Sequence, residues 1–380
     1  MNILVVSNYL LYQEKSSSFV HQQAAAYARL GHRVRVLILT AFGKPDFFGA
    51  RGVRRFYRKN CDGIELVPVR YLSLSKLGEK KFNAKSAASA AVSAARRLAD
   101  DFQPDVIHAH ALTTSAAVGA ALKQLYNCPL VITTHGSDTS VAMEQGKGAQ
   151  LKDLCKQADT IIAVSSALAD MLRQCGTGTP IKVILNGFVL GHLPNTFEKK
   201  PFTIIQVGRL NHQKRVRVTI CAFAQIVQKY PAARLTLVGK GTDEEALMQL
   251  CHELGISDAV TFTGQLPNDQ VLQEMAKSQF FVMPSVREGF GIVYLEAMAC
   301  GCITIGTQGE GISDLVINGE NGFLVPSDDA ESIVRVVEGC LANLSAADEL
   351  AKKGQIAARE LTWERNAACC VELFRELSAV

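Results

Sequence analysis

Arg209, Lys214, Glu288 and Glu296 have the residue types and spacing to hold an anionic, hydroxyl-rich ligand. In QVGRLNHQKRV an apolar run ends in Gly208, Arg209 follows, and Lys214 stands at the start of a helix. The unpaired N–H groups of a helix start favour phosphate, and two nearby cations add charge. A solvated basic loop has the same composition. In PSVREGFGIVYLEAMACG, Glu288 and Glu296 bracket seven residues. Gly289 and Gly291 let the backbone approach a ligand closely, and the N–H groups of Phe290 to Val293 open a helix toward an anion. The two carboxylates can accept paired hydrogen bonds from ribose or hexose hydroxyls; surface glutamates on a capped helix are the plain alternative. A third loop, LTLVGKGTDEE, sets Gly239 and Gly241 around Lys240, with Thr242 and Glu245 spaced as a capping box. It lacks the third glycine of a dinucleotide fingerprint and the GK[ST] of a P-loop, so it reads first as a tight turn. In the first half, His110 and His135 each end a strand candidate. A metal pair of His108 and His110 is disfavoured, because alternate positions on a buried strand produce that spacing unaided. His21 and His32 read as surface or loop residues.

These loops need a scaffold that brings strand ends together. The chain opens as NILVVS, a helix-like FVHQQAAAYARLG and HRVRVLILT, a βαβ start. Strand candidates continue at 64–69, 105–108, 130–134, 160–164 and 181–185, with alanine-rich helical stretches at 83–100 and 112–125. Such alternation implies an α/β protein with parallel sheets covered on both faces. The aperiodic NGFVLGHLPNTFEKKPF reads as a linker, after which the pattern restarts with FTIIQVG, ARLTLVG, AVTFTG, FFVMPS and CITIGT. The expected architecture is two doubly wound, Rossmann-like domains, 1–187 and 188–361, with a final helix at 362–380 packing back across them. Ligands of such sheets bind outside the carboxyl ends of the strands, where the loops above lie.

A 380-residue chain of ordinary composition buries enough surface to need neither disulfides nor structural metal. The 11 cysteines include no CxxC and sit mostly in apolar segments, as reduced, buried thiols do. The N-terminal apolar run is short for a signal peptide and no run reaches a membrane span, so a cytoplasmic location is expected. Charge is uneven: residues 1–190 hold 23 basic and 13 acidic side chains, the remainder 17 and 23. A basic first half suits an anionic surface or substrate.

The chain resembles the family four retaining glycosyltransferases of the two-domain GT-B fold, in which two Rossmann-like domains face across a cleft. The resemblance rests on EGFGIVYLEAMACG, the flanking VMPS, the later NGENGFLVP, and VGRLNHQK, LVGKG and FTG in order. FVHQQAAAYARLGHRVRVL, DVIHAHA and TTHGSD in the first half match less tightly. The resemblance implies a nucleotide diphosphate sugar, UDP-linked by default, bound mainly by the second domain, and a saccharide or lipid-linked acceptor in the first. It places Arg209 and Lys214 on the diphosphate, Glu288 on donor sugar hydroxyls and Glu296 on the ribose. Amides of Phe290, Gly291 and Ile292, with Val293, Gly208 and Gly239, complete the donor site, and Gln265 and Leu266 border the base. It puts His135 at the reaction centre, with His110, Asp138, Ser17 and Ser18 on the acceptor side. Lys15 to Ser18 stand where many relatives have a glycine pair, and Asn186-Gly187-Phe188-Val189 lacks the aspartate of their hinge.

No DxD occurs, so neither a metal nor a cofactor is expected, and transfer in cell-surface polysaccharide or glycolipid synthesis is implied. The basic residues Arg51, Arg54, Arg55, Arg58, Lys59, Lys76, Lys80, Lys81 and Lys85 suit an anionic leaflet on the inner face of the membrane. A sugar-nucleotide epimerase or hydrolase would share the diphosphate loops but turn over donor alone, and a non-catalytic binding protein would form no product. The first strand turn has no GxGxxG, which disfavours a dehydrogenase. Nucleic-acid binding has the charge but no motif.

Overall fold

The computed structural model describes residues 1–8, 19–42, 59–73, 79–98, 102–194 and 198–379. The chain divides into two compact units, Met1–Asn186 with Trp363–Val380, and Gly187–Thr362.

The first unit is built on β1 (Asn2–Ser7), β2 (Arg33–Phe42), β3 (Lys59–Cys61), β4 (Ile64–Leu72), β5 (Val106–His110), β6 (Leu130–Thr134), β7 (Thr160–Ala163) and β8 (Ile181–Val183). They lie in the order β3-β4-β2-β1-β5-β6-β7-β8. Among the described strands only the edge hairpin β3–β4 is antiparallel. β5 and β6 are buried along their whole length, the pattern of strands covered on both faces. The helices are α1 (Phe19–Arg29), α2 (Glu79–Leu98), α3 (Thr114–Tyr126), α4 (Ser137–Glu144), α5 (Gly148–Cys155) and α6 (Ser166–Gln174).

The second unit holds β9 (Lys200–Val207), β10 (Arg234–Val238), β11 (Val260–Gly264), β12 (Ser278–Val282), β13 (Ile303–Thr307) and β14 (Phe323–Val325), all parallel, in the order β11-β10-β9-β12-β13-β14. Its helices are α7 (Val216–Lys229), α8 (Glu244–Glu253), α9 (Asn268–Lys277), α10 (Ile292–Ala299), α11 (Ala330–Ala342) and α12 (Leu344–Arg359). The strand order reverses at β9, so the loop after β9 and the loop after β12 leave adjacent strands, the crevice in which doubly wound sheets bind ligands. A last helix, α13 (Trp363–Ser378), belongs to the first unit. Its docking on α1 is specified by polar contacts inside an apolar seam. Trp363 Nε1 donates to Gln22 Oε1 at 2.6 Å, and Gln23 Nε2 donates to Asn366 Oδ1 at 2.5 Å. Asn366 Nδ2 donates in turn to the carbonyl of Leu185 at 2.8 Å.

Three local expectations are corrected. Thr242 and Glu245 form no capping box: Thr242 Oγ1 turns to Asp243 Oδ1, and Asp243 is the N-cap of α8 without a side-chain cap. The linker is partly structured, because Phe188 is buried and its N–H donates to Leu361 O at 3.1 Å. His21 is no surface residue; it is 5% exposed and its Nε2 lies 2.7 Å from Asp62 Oδ2 at the β3–β4 turn. Of the cysteines, six are buried, four are half-buried and Cys369 is exposed.

Candidate active site

In the second unit the loops after β9 and β10 continue the sheet's hydrogen bonding beyond the strands. Gly208 N donates to Val238 O at 2.9 Å, Gly239 N to Gly264 O at 2.9 Å and Leu210 N to Lys240 O at 3.1 Å. This close stacking explains the GxG of the second loop. A Cβ on Gly239 (φ +135°) would lie 1.8 Å from Gly208 O, and one on Gly241 2.1 Å from Leu210 O. These two glycines are thus set by backbone packing, which shapes the floor on which the charged loop rests.

Asn211 Oδ1 accepts from Lys214 N at 3.3 Å and caps a short 3₁₀ turn, His212–Lys214, and Gln206 Nε2 donates to Lys214 O at 2.7 Å. The aliphatic arm of Lys214 crosses Gly208, whose missing side chain leaves the room: a Cβ there would meet Lys214 Cε at 3.3 Å. Its ammonium pairs with Glu288 Oε2. Arg209 is exposed and makes no ion pair with the described residues. The two cations singled out from the sequence therefore sit on one loop, one of them locked to the first of the two glutamates.

The loop carrying Glu288 is held from behind by a residue that sequence reasoning missed. Glu310, after β13, accepts from Arg287 N (2.8 Å) and Glu288 N (2.9 Å) with its two carboxylate oxygens. Burial raises the Glu310 pKa, and these amide bonds oppose the rise. Gly311 brings the two loops into backbone contact, since a Cβ would lie 2.2 Å from Gly289 O. Gly291 (φ +79°) starts α10, and the absent Cβ lets Glu288 Cγ and the Tyr294 ring close over it. Phe290 is buried, while Ile292 and Val293 are half-buried in the first turn of α10.

Glu296, one turn further along α10, has its pKa pushed up to about 7, because burial outweighs a hydrogen bond with Asn268 that favours the charged form. Asn268 also escaped the sequence reading; it begins α9 one residue, Pro267, after Gln265 and Leu266, and so ties that segment to Glu296. A carboxyl with a raised folded-state pKa holds its proton more tightly folded than unfolded. Stability is therefore lost as pH climbs from the ordinary carboxylate range to about 7, and the loss is constant above that. Glu296→Gln should raise Tm at pH 8 by an amount worth at most about 3 kcal/mol. At pH 4.5 it should leave Tm unchanged, a contrast that calorimetry at the two pH values reads directly.

In the first unit, His108 and His110 lie two apart on β5, with ring centroids 4.4 Å apart. Both nitrogens of His108 are engaged, Nδ1 with Tyr27 OH (3.2 Å) and Nε2 with Thr133 Oγ1 (2.7 Å). His110 Nδ1 meets His135 Nε2 at 3.1 Å. Asp138 anchors this corner, accepting from Leu112 N (2.7 Å), Thr134 Oγ1 (2.9 Å) and His135 N (3.1 Å). Its carboxylate is thereby committed to holding the His135 loop. Burial lowers all three histidines, His108 to about 3, His135 to about 4 and His110 well below its ordinary value, so the cluster is neutral near pH 7. Ser17 and Ser18 lie outside the described residues.

A family model described as "Glycosyltransferase Family 4" matches residues 16–191, and one described as "Glycosyl transferases group 1" matches residues 193–357. The chain belongs to the family four, group 1 glycosyltransferases. Glycogen synthase of Mycobacterium tuberculosis is 28% identical over 287 residues, 72% of this chain and 69% of the relative. N-acetyl-alpha-D-glucosaminyl L-malate synthase of Bacillus anthracis is 31% identical over 246 residues, 60% of this chain and 63% of the relative. Among solved structures, sucrose-phosphate synthase from Thermosynechococcus elongatus matches with a TM-score of 0.80 at 22% identity, covering 100% of this chain and 99% of that one. Anabaena HepE in complex with UDP-glucose matches with a TM-score of 0.75 at 22% identity, covering 99% and 100%. These likenesses make the two parallel-sheet units those of the GT-B fold. In this glycosyltransferase the charged constellation lies at the strand reversal of the second unit, and the histidine cluster at the carboxyl ends of β5 and β6 in the first. No helix among the described residues is long and apolar enough to cross a membrane.

Proposed function

We propose that this glycosyltransferase moves a hexose-type sugar, with retention, from a UDP-sugar to a saccharide or lipid-linked acceptor in cell-surface polysaccharide or glycolipid synthesis. The observation that carries the donor assignment is the Lys214–Glu288 pair beside exposed Arg209, where β9 and β12 deliver their loops to one crevice. Arg209 and Lys214 take the diphosphate, and Glu288, released from Lys214, turns to sugar hydroxyls. Glu296 accepts from the ribose diol and Gln265 and Leu266 border the base, while Gly208, Gly239 and the backbone of Phe290, Gly291, Ile292 and Val293 line the phosphates and sugar. The solved HepE complexes with UDP and UDP-glucose support this choice of donor.

The side chains supply two cations and a helix start for the leaving group, so the reaction is proposed to need no metal or other cofactor. The anomeric carbon–oxygen bond to the diphosphate breaks as the acceptor oxygen bonds on the same face, and the departing phosphate oxygen takes the acceptor proton. His135 sits at this centre, with His110 and Asp138 behind it on the acceptor side, where Ser17 and Ser18 also belong. The basic first unit is proposed to rest on an anionic leaflet. Of its cations, Lys85 is among the described residues, whereas Arg51, Arg54, Arg55, Arg58 and Lys76, and the side chains of Lys59, Lys80 and Lys81, lie outside them. Sedimentation with phosphatidylserine vesicles should show binding that is lost at high salt.

The test of donor use is a thermal-shift panel of nucleotide diphosphates and their sugars in EDTA. UDP and a UDP-sugar should raise Tm in the wild type and fail to do so in Lys214→Ala. Ribose hydroxyls donate to the ionised form of Glu296, so donor affinity should fall as pH drops below about 7. Absence of any shift with all nucleotides would remove the donor assignment.

A further inference from the structure

The histidine cluster of the first unit contains one polar atom that no described residue satisfies. His110 is 1% exposed, and its Nε2 has no hydrogen-bond partner among the described residues, while its Nδ1 meets His135 Nε2 at 3.1 Å. The two rings are nearly parallel, 10° apart, with centroids separated by 5.3 Å. Both imidazoles are neutral, so each carries one N–H and one lone pair, and the contact between them fixes both tautomers together. Two arrangements are possible. His135 Nε2–H can donate to His110 Nδ1, which forces the His110 proton onto buried, partnerless Nε2. Alternatively, His110 Nδ1–H donates to His135 Nε2, which leaves only a lone pair at the buried position. Along the main chain, buried orphan N–H groups are rarer than under-satisfied carbonyls, and the same preference for leaving a lone pair rather than a proton unpaired selects the second arrangement here. His108 cannot rescue the first arrangement, because both its nitrogens are already used by Tyr27 and Thr133.

We infer that His110 is a positioning residue that holds His135 as its Nδ1–H tautomer, with the His135 Nε2 lone pair occupied by the His110 Nδ1–H. The ring of Phe19, 4.5 Å from that of His135, and the Asp138 carboxylate, which accepts from the His135 backbone N–H, fix the same residue in place. The mechanistic consequence rests on the proposed placement of His135 at the reaction centre. With Nε2 occupied, His135 does not take the acceptor proton through that nitrogen, which leaves the departing phosphate as the base.

Long-range ¹H–¹⁵N correlation spectra of ¹⁵N-histidine-labelled protein at pH 7.5 read the tautomer directly. The wild type should show His135 protonated predominantly at Nδ1, the ratio set by how much more a buried orphan N–H costs than a buried orphan lone pair. His110→Phe keeps a stacked ring but no donor, and should let the His135 Nε2–H form appear. His110→Asn, whose amide stands in for Nδ1–H, should restore the wild-type pattern. A wild-type His135 protonated at Nε2 would overturn the inference, and so would an unchanged tautomer in a folded His110→Phe variant. The wild-type spectrum stands even where a variant does not fold. The reaction-centre reading is tested separately: wild-type release of UDP from its sugar donor by His135→Ala would remove that reading and leave the tautomer assignment intact.

Discussion

Lys214→Ala should lower kcat/KM for the sugar donor by about 10²–10³-fold, the effect of removing one preorganised group that stabilises charge on a leaving group. The loss should appear in KM as well as kcat, because Lys214 holds the diphosphate before the glycosidic bond breaks and meets still more charge as it does. Stability should fall as well. The Lys214–Glu288 pair is only about one-fifth exposed on each side, so the variant leaves the Glu288 carboxylate largely buried without its partner, a loss of about 1–3 kcal/mol. Glu288 keeps its backbone anchored to Glu310 after the lysine is gone. Steady-state release of UDP from the donor found by thermal shift, together with a melting curve of the same variant, separates the two effects. Undiminished turnover would overturn the placement of Lys214 on the diphosphate. Arg209→Ala, on the same loop but more exposed, should cost less, since solvent screens its charge more strongly.

The second large effect is structural. Gly239→Ala should destabilise the second unit by about 3–5 kcal/mol, the range of severe overpacking combined with strain at a special φ/ψ. The added Cβ would stand 1.8 Å from Gly208 O, and its φ of +135° is one that L side chains rarely adopt. Neither partner can yield cheaply, because Gly208 and Gly239 are both tied into the extended ladder. For a unit of this size that corresponds to a fall in Tm of roughly 10 °C. Gly255→Ala is the control: it has a similarly left-handed φ of +67° but open space around it, and should cost about 1 kcal/mol. Calorimetry of both variants checks the contrast, and equal losses would show that backbone conformation alone, not close packing, governs Gly239.

Much of this protein was legible in its sequence because it is encoded locally. Apolar runs such as NILVVS and LVITT became parallel strands close to their expected bounds, and the restart after residue 187 follows from repetition of the same pattern. Gly208, Arg209 and Lys214 could be placed at a strand end, and Glu288 and Glu296 around a helix start, from spacing alone. Their assignment to diphosphate, sugar and ribose came from family resemblance, which composition and periodicity do not supply.

What the sequence left undetermined depends on which strand ends become neighbours. Lys214 meets Glu288 across 74 residues because β9 lies beside β12, and Glu310 reaches the Glu288 loop because β13 lies beside β12. Glu310 stands in a glycine-flanked run, TQGEGIS, with no feature distinguishing it from a surface glutamate. The GKG glycines carried a visible signal, but its cause, contact with Gly208 O and Leu210 O, exists only once β9 and β10 are paired. His21 leaves the surface that its local pattern implies because the hairpin bringing Asp62 over it is 41 residues away. The engagement of His135 by His110 likewise requires β5 beside β6. The sequence determined the strands, helices and charged loops, because periodicity and turn chemistry act over a few residues. Tertiary structure decided which of those loops meet and which polar atoms are left for a ligand, because strand order sets distances between residues that local interactions never bring together.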